Sequence, residues 1–292
     1  MVVNMRRTRR IKSKINKRSE KGSGNVAIFP KKALKTRIIL MKELPKLSSP
    51  ILIEGLPGIG FVGKLAADTM VEELKAEKIA ELHSHRFPHQ VLIERDGSIK
   101  LLKNEIYLSK RKGGDLIILV GDVQPTSPEA QHEVMNAILD FFESIGGKTI
   151  FTLGGYSIGK IVEKPRVLGA VTDKKLIPLL KKHHVVCGGI DGSIVGAAGL
   201  LLGIGKLRGM EGACLMGETH GSYIDHKAAK CIIEVLNSLL QLSIDTTKLE
   251  KKVKESEEVI KKLEEEARKG EAPVPNIPVQ PPQKPETLTY IR

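Results

Sequence analysis

The stretch Ile51-Leu52-Ile53-Glu54-Gly55-Leu56-Pro57-Gly58-Ile59-Gly60-Phe61-Val62-Gly63-Lys64 decides the fold class. Its branched apolar residues read as a short buried strand, its glycines and proline as a tight turn, and the residues from Phe61 to about Glu77 as a helix. Strand, glycine turn and helix together make the first half of an α/β unit. The turn has three readings. Gly58, Gly60 and Gly63 satisfy G-x-G-x-x-G, and Glu81 follows Gly63 by 18 residues, near the distance of a ribose-binding acid, so NAD or another nucleotide is one. Gly58 with Gly63-Lys64 also has phosphate-loop spacing, but Leu65 stands where a Mg²⁺-binding hydroxyl is needed. In the third reading the glycines permit positive φ and close packing of helix on sheet, with no ligand.

Outward from this loop, apolar runs of strand length alternate with amphipathic stretches as far as Leu242, which predicts a largely parallel sheet. Leu116-Ile117-Ile118-Leu119-Val120 reads as a strand buried on both faces. Ser127-Pro128-Glu129 then supplies an N-cap, a proline at the first helical position and an acid in the first turn. Val134, Ile138, Phe142 and Ile145 put one apolar face on that helix. Asp96-Gly97, between two short apolar runs, predicts a two-residue type I′ hairpin, so the sheet is expected to be mixed. Lys148 to Leu153 and Gly212 to Gly217 read as further strands, about Lys174 to Lys182 and Ile194 to Leu202 as helices, and Asp225 as the cap of a last helix to Leu242.

The net charge of +13 suggests a nucleic-acid partner until it is located. Residues 1–37 hold thirteen Lys and Arg against the single acid Glu20 and so carry +12 of it, leaving the body almost neutral. Such an arm binds phosphate backbones by counterion release, but Phe29 is its one aromatic for base stacking. Incidental nucleic-acid binding therefore competes with a dispensable solvated extension, or with a start assigned ahead of Met41. The three cysteines, Cys187, Cys214 and Cys231, fit neither a disulfide framework nor a paired metal motif, and no apolar segment follows the first charges, so a cytosolic protein with reduced thiols is expected. The most apolar window, Val185 to Gly205, carries Asp191 and seven glycines, which suits a core segment better than a membrane span.

Other candidate chemistry is sparse. His83, His85 and His89 could ligate a metal, but no Cys or second His pair is near in sequence, and a half-exposed strand explains them as well. Glu218-Thr219-His220-Gly221 resembles an acid–base cluster after a strand, although no nucleophile accompanies it. Asp122 and Asp225 could cap helices, and Ser193 sits in a glycine-rich nest suited to an anion.

The last fifty residues change character. Leu249, Val253, Ser256, Ile260, Leu263 and Ala267 recur at alternating spacings of four and three in a Lys/Glu background, about three heptads of coiled-coil pattern. Ala272 to Pro285 contains six prolines and reads as an extended spacer, ending in Leu288-Thr289-Tyr290-Ile291-Arg292. The chain thus divides into a basic arm (1–40), an α/β body (41–244), a charged helix (245–270) and a Pro-rich linker with an apolar-aromatic tip (271–292).

Three spaced motifs, Glu54-Gly55-x-Pro57-Gly58-x-Gly60, Gly192-x3-Gly196-x2-Gly199-Leu200-Leu201 and Leu215-Met216-Gly217-Glu218-Thr219-His220-Gly221, together resemble the archaeal members of the proteasome assembly chaperone family. The resemblance implies a three-layer α/β/α sandwich with a mostly parallel mixed sheet, similar to nucleoside phosphorylases, but without a known catalytic activity; no metal or cofactor is expected. It also implies a homo-oligomer that docks on proteasome core α-subunits through its C-terminal tail, assisting assembly or opening the gate without ATP. Leu288, Thr289, Tyr290, Ile291 and Arg292 would be the docking residues. The tripeptide by which such proteins often dock has tyrosine second from the end; here Ile291 occupies that place and Tyr290 stands one residue earlier.

Overall fold

The strand Ile51–Gly55 (β2), with its apolar run Ile51-Leu52-Ile53, lies at the centre of a nine-stranded sheet. In the computed structural model, which describes residues 35–189 and 191–255, Leu116–Gly121 (β7) and Thr149–Ser157 (β8) flank β2 in parallel, and Glu211–Thr219 (β11) continues beyond β8 in the same sense. This parallel centre is edged by antiparallel partners. Asn104–Ser109 (β6) joins β7, Glu77–His83 (β3) joins β6, and Arg37–Leu40 (β1) closes that side. On the other side Val167–Val171 (β9) runs antiparallel to β11 and carries Val185–Cys187 (β10) at the edge.

Alternation along the central strands sorts the core into two halves. Ile53, Ile118, Leu153 and Leu215 face the helices Val62–Glu73 (α1) and His226–Leu240 (α5). Leu52, Ile117, Ile150 and Cys214 face Pro128–Ser144 (α2) and Ala197–Leu207 (α4). A short helix, Ile177–Lys182 (α3), adds Leu180 to the first half. Helices on both faces of one mixed sheet make the three-layer α/β/α sandwich.

Two of the anticipated N-caps form: Ser127 Oγ accepts the Ala130 N–H at 3.2 Å, and Asp225 Oδ1 accepts the Ala228 N–H at 2.9 Å. Elsewhere the structure corrects the expectations. The helix after the glycine loop ends at Glu73 rather than near Glu77, because the chain turns through Lys75 at φ 48° and Glu77 already opens β3. The fourth helix starts at Ala197 rather than Ile194, behind Gly196 at φ 91°. The ribbon Val91–Ile93 (β4) with Ile99–Leu101 (β5) forms, but not on a two-residue type I′ turn. The Gly97 N–H bonds the Glu94 carbonyl and Gly97 has positive φ while Asp96 does not, which is a type I turn closed by a left-handed glycine. The ribbon's outer face carries Val91, Ile93, Ile99 and Leu101, all exposed. Strand β1 begins at Arg37, so the sheet takes in residues assigned from sequence to the basic arm. Residues 1–34 lie outside the described part of the chain.

Candidate functional site

The glycine loop leaves β2 at Gly55, makes a short 3-10 turn over Ile59–Phe61 and enters α1. A β-carbon at Gly63 would come within 2.1 Å of the Leu153 carbonyl oxygen, so glycine is what lets the start of α1 rest on β8. Gly60 has φ 61°, with Thr219 against it. Gly58 is extended at φ −156°, a conformation open to any residue. Glu81 is not brought to this loop. It lies on β3, separated from β2 by β6 and β7, or roughly 14 Å at the usual spacing of strands.

There Glu81 belongs to a lattice of charges across β3 and β6. Lys78 Nζ is 2.8 Å from Glu81 and 3.0 Å from Glu105, and Lys103 bridges the same two acids. Burial pushes Glu81 upward, but hydrogen bonds from Lys103, Lys78 and His83 outweigh it and hold the carboxyl at about 2. His83 Nε2 lies 3.2 Å from Glu81, while His85 is beyond the end of β3 and near Glu133. Among the described residues no three His, Cys, Asp or Glu side chains converge on a metal position.

At the end of β11, Glu218 is committed to Arg166. It accepts the Arg166 backbone N–H at 3.0 Å and the Arg166 Nε–H at 2.9 Å, and the arginine side chain holds its carboxyl below the usual range. His220 instead stacks on Tyr223, with ring centres 5.5 Å apart. Asp122 accepts the Lys103 N–H and pairs with Lys100, so it caps no helix, and Ser193 is exposed.

In the sequence Glu54 stands out only as part of a motif. It is 1% exposed near the carboxyl end of β2; Oε1 accepts the Leu56 N–H at 3.0 Å and Oε2 has no partner. Burial raises its carboxyl to about 8, only partly offset by the Leu56 hydrogen bond, so it is uncharged at neutral pH. One signal for it was legible: a lone acid in a buried apolar strand, directly before a loop at the strand's carboxyl end.

Beyond α5 the chain turns back. Asn237 clamps Ile244, donating to its carbonyl and accepting its N–H, both at 3.0 Å. Asp245 accepts the Thr247 N–H at 2.9 Å and opens a helix over residues 247–255 (α6). Ile244 and Leu249 are buried in the half-core of α1 and α5. Lys248 pairs with Glu72 and Glu73, and Glu250 with Lys230. The beginning of the charged helix is thus part of the body. The rest of the heptad pattern and the tip Leu288–Arg292 lie outside the described residues. Among the described residues no helix is long and apolar enough to cross a membrane.

Comparison with known proteins places this architecture. The chain matches the PAC2 family over residues 52–264. It is 41% identical to protein MJ1210 of Methanocaldococcus jannaschii over 254 residues, 86% of this chain and 95% of that protein. Among solved structures it is similar to Pyrococcus furiosus PbaB, described as an archaeal proteasome activator, with 46% identity and a TM-score of 0.75, covering 79% of this chain and 99% of that one. It is also similar to PbaA of the same organism, an archaeal homolog of proteasome-assembly chaperone, at 28% identity and TM-score 0.66, covering 80% and 94%.

Proposed function

Because the chain belongs to the PAC2 family, we propose that it is a non-enzymatic, homo-oligomeric adaptor that engages proteasome core α-subunits through Leu288–Arg292. The observation that carries this reading is the 46% identity to an archaeal proteasome activator across 99% of that chain. The lower identity to the chaperone homolog PbaA, 28%, favours opening of the gate without ATP over assistance in assembly.

The body supports the reading physically. With α6 pinned by Leu249 and the Asn237 clamp, the last described residues are held on the α1/α5 layer. A helix to about residue 270 would reach roughly 35 Å. The proline segment would add roughly 45 Å. A single tip binds weakly because ordering it costs entropy, whereas several tips on one oligomer act together. Tyr290 supplies an aromatic anchor and Ile291 an apolar neighbour.

The test is co-sedimentation of the full chain and of a form lacking Leu288–Arg292 with archaeal α-rings and mature cores, together with peptide hydrolysis by the core in the absence of ATP. The full chain is expected to bind and to stimulate hydrolysis, and the truncated form to lose both by at least about tenfold, the factor set by roughly 1.4 kcal/mol of binding energy. Equal binding by the two forms refutes docking through the tip.

A further inference from the structure

The register of the central strands puts Glu54 of β2 beside Thr152 of β8, and Thr152 beside Cys214 of β11, all on the α2/α4 side. One step along β8 comes Gly154. A β-carbon built there would meet nothing within 4 Å, although the position is inside the sheet. The space left open is part of a cavity of about 510 Å³ floored by Glu54 and roofed by Ile194 and Ala198 at the start of α4. Gln124 fixes that roof, because its side chain donates to the Pro57 carbonyl at 2.7 Å and accepts the Ala197 N–H at 2.8 Å, tying the glycine loop to α4. The site is preformed, and its volume falls in the range of small-molecule pockets.

Its chemistry is selective. The walls combine apolar side chains with Gln124, Tyr156, Ser157 and Ser193, and no Lys or Arg lines them, so a phosphate-bearing ligand finds no counter-charge. One buried polar atom is left over at the base: Glu54 Oε2 has no partner. Buried polar atoms left unpaired are costly to a fold, and an apolar pair of the same shape would cost less. A protonated carboxyl presents a donor beside an acceptor, the complement of a neutral amide edge.

We propose that this cavity is a binding site for a small, flat, uncharged molecule carrying an N–H next to a C=O, of the lactam, carboxamide or urea class, held edge-on by the Glu54 carboxyl. The site is independent of the tail and requires no proteasome.

The probe is 2-pyridone, a flat lactam, titrated into the full-length chain and followed by saturation-transfer NMR and thermal shift. N-methyl-2-pyridone, which has the same shape but no N–H, is the control. Saturable binding in the millimolar range is expected, weakened by at least about tenfold in the control, a margin worth roughly 1.4 kcal/mol. Glu54→Leu removes the paired edge, and Gly154→Val fills the void; each should lose binding by the same margin without loss of thermal stability. The second variant keeps the test decisive if the first fails to fold. Absence of saturable binding up to the solubility limit, equal binding of the N-methyl analogue, or full binding by a folded Gly154→Val protein each overturns the assignment, leaving water as the occupant.

Discussion

The two faces of the sheet are built from similar materials and finished differently. On the α1/α5 face the chain returns after α5 and adds Ile244 and Leu249 to the half-core, and the depression left between α5 and α6 is bordered by opposed charges such as Lys230, Glu234 and Glu250. On the α2/α4 face nothing described returns. A groove of about 740 Å³ runs between the two helices, bordered by Val195 and Leu207 at 87% and 88% exposure, and the Glu54 cavity opens beside it. One face is covered by the returning segment that leads toward the C-terminus, and the other leaves an apolar groove uncovered among the described residues. The same sheet thus packs a chain segment on one side and keeps open space on the other.

The contrast can be broken most directly at Leu249. Leu249→Ala should cost about 2–5 kcal/mol in urea denaturation, the range for truncating a buried leucine. Leu207→Ala, on the exposed rim of the other face, should change stability by less than about 0.5 kcal/mol. Similar costs at the two positions would mean that α6 does not complete the core.

Next in size is the pH dependence carried by Glu54. Its folded value of about 8 lies above the ordinary 4.5, so its contribution is fully present below pH 4.5 and is lost as pH rises toward 8, while the unfolded chain ionises and the folded one does not. The neighbouring Cys214 thiol, pushed up to about 12 by burial, stays neutral across that window. Glu54→Gln should therefore leave stability unchanged near pH 4.5 and raise it by up to ~3 kcal/mol at pH 7. Parallel stability–pH curves for the variant and the parent would show that the carboxyl is solvated.

The smallest effects sharpen the comparison by failing to differ between the faces. Asp225→Ala caps off α5 and Ser127→Ala caps off α2, and each should cost about 1 kcal/mol by thermal denaturation. A much larger loss at either would show that more than a cap is at stake there.

Much of the fold was readable because local chemistry and long-range packing agreed. The run Leu116 to Val120, the Ser127-Pro128 start and the Asp225 cap each announce one structure and form it. Strands β1, β6 and β9 were not anticipated. β1 adjoins the basic arm, β6 mixes Asn104 and Glu105 with apolar residues, and β9 has Gly169 at its centre; each is a strand because of the neighbour it pairs with. Glu81 had the right separation in sequence, yet the insertion of β6 and β7 between its strand and β2 put it elsewhere. Glu54 was half legible: the sequence shows a lone acid in an apolar strand before the loop, and only the register shows what it faces.

The fit of Gly63 against the Leu153 carbonyl bears on how such loops are recognised at all. Selection for a foldable chain would by itself hold glycine at that position through long divergence, whatever the protein later came to do. Glycine spacing alone accordingly does not separate a phosphate cradle from a steric contact of helix on strand.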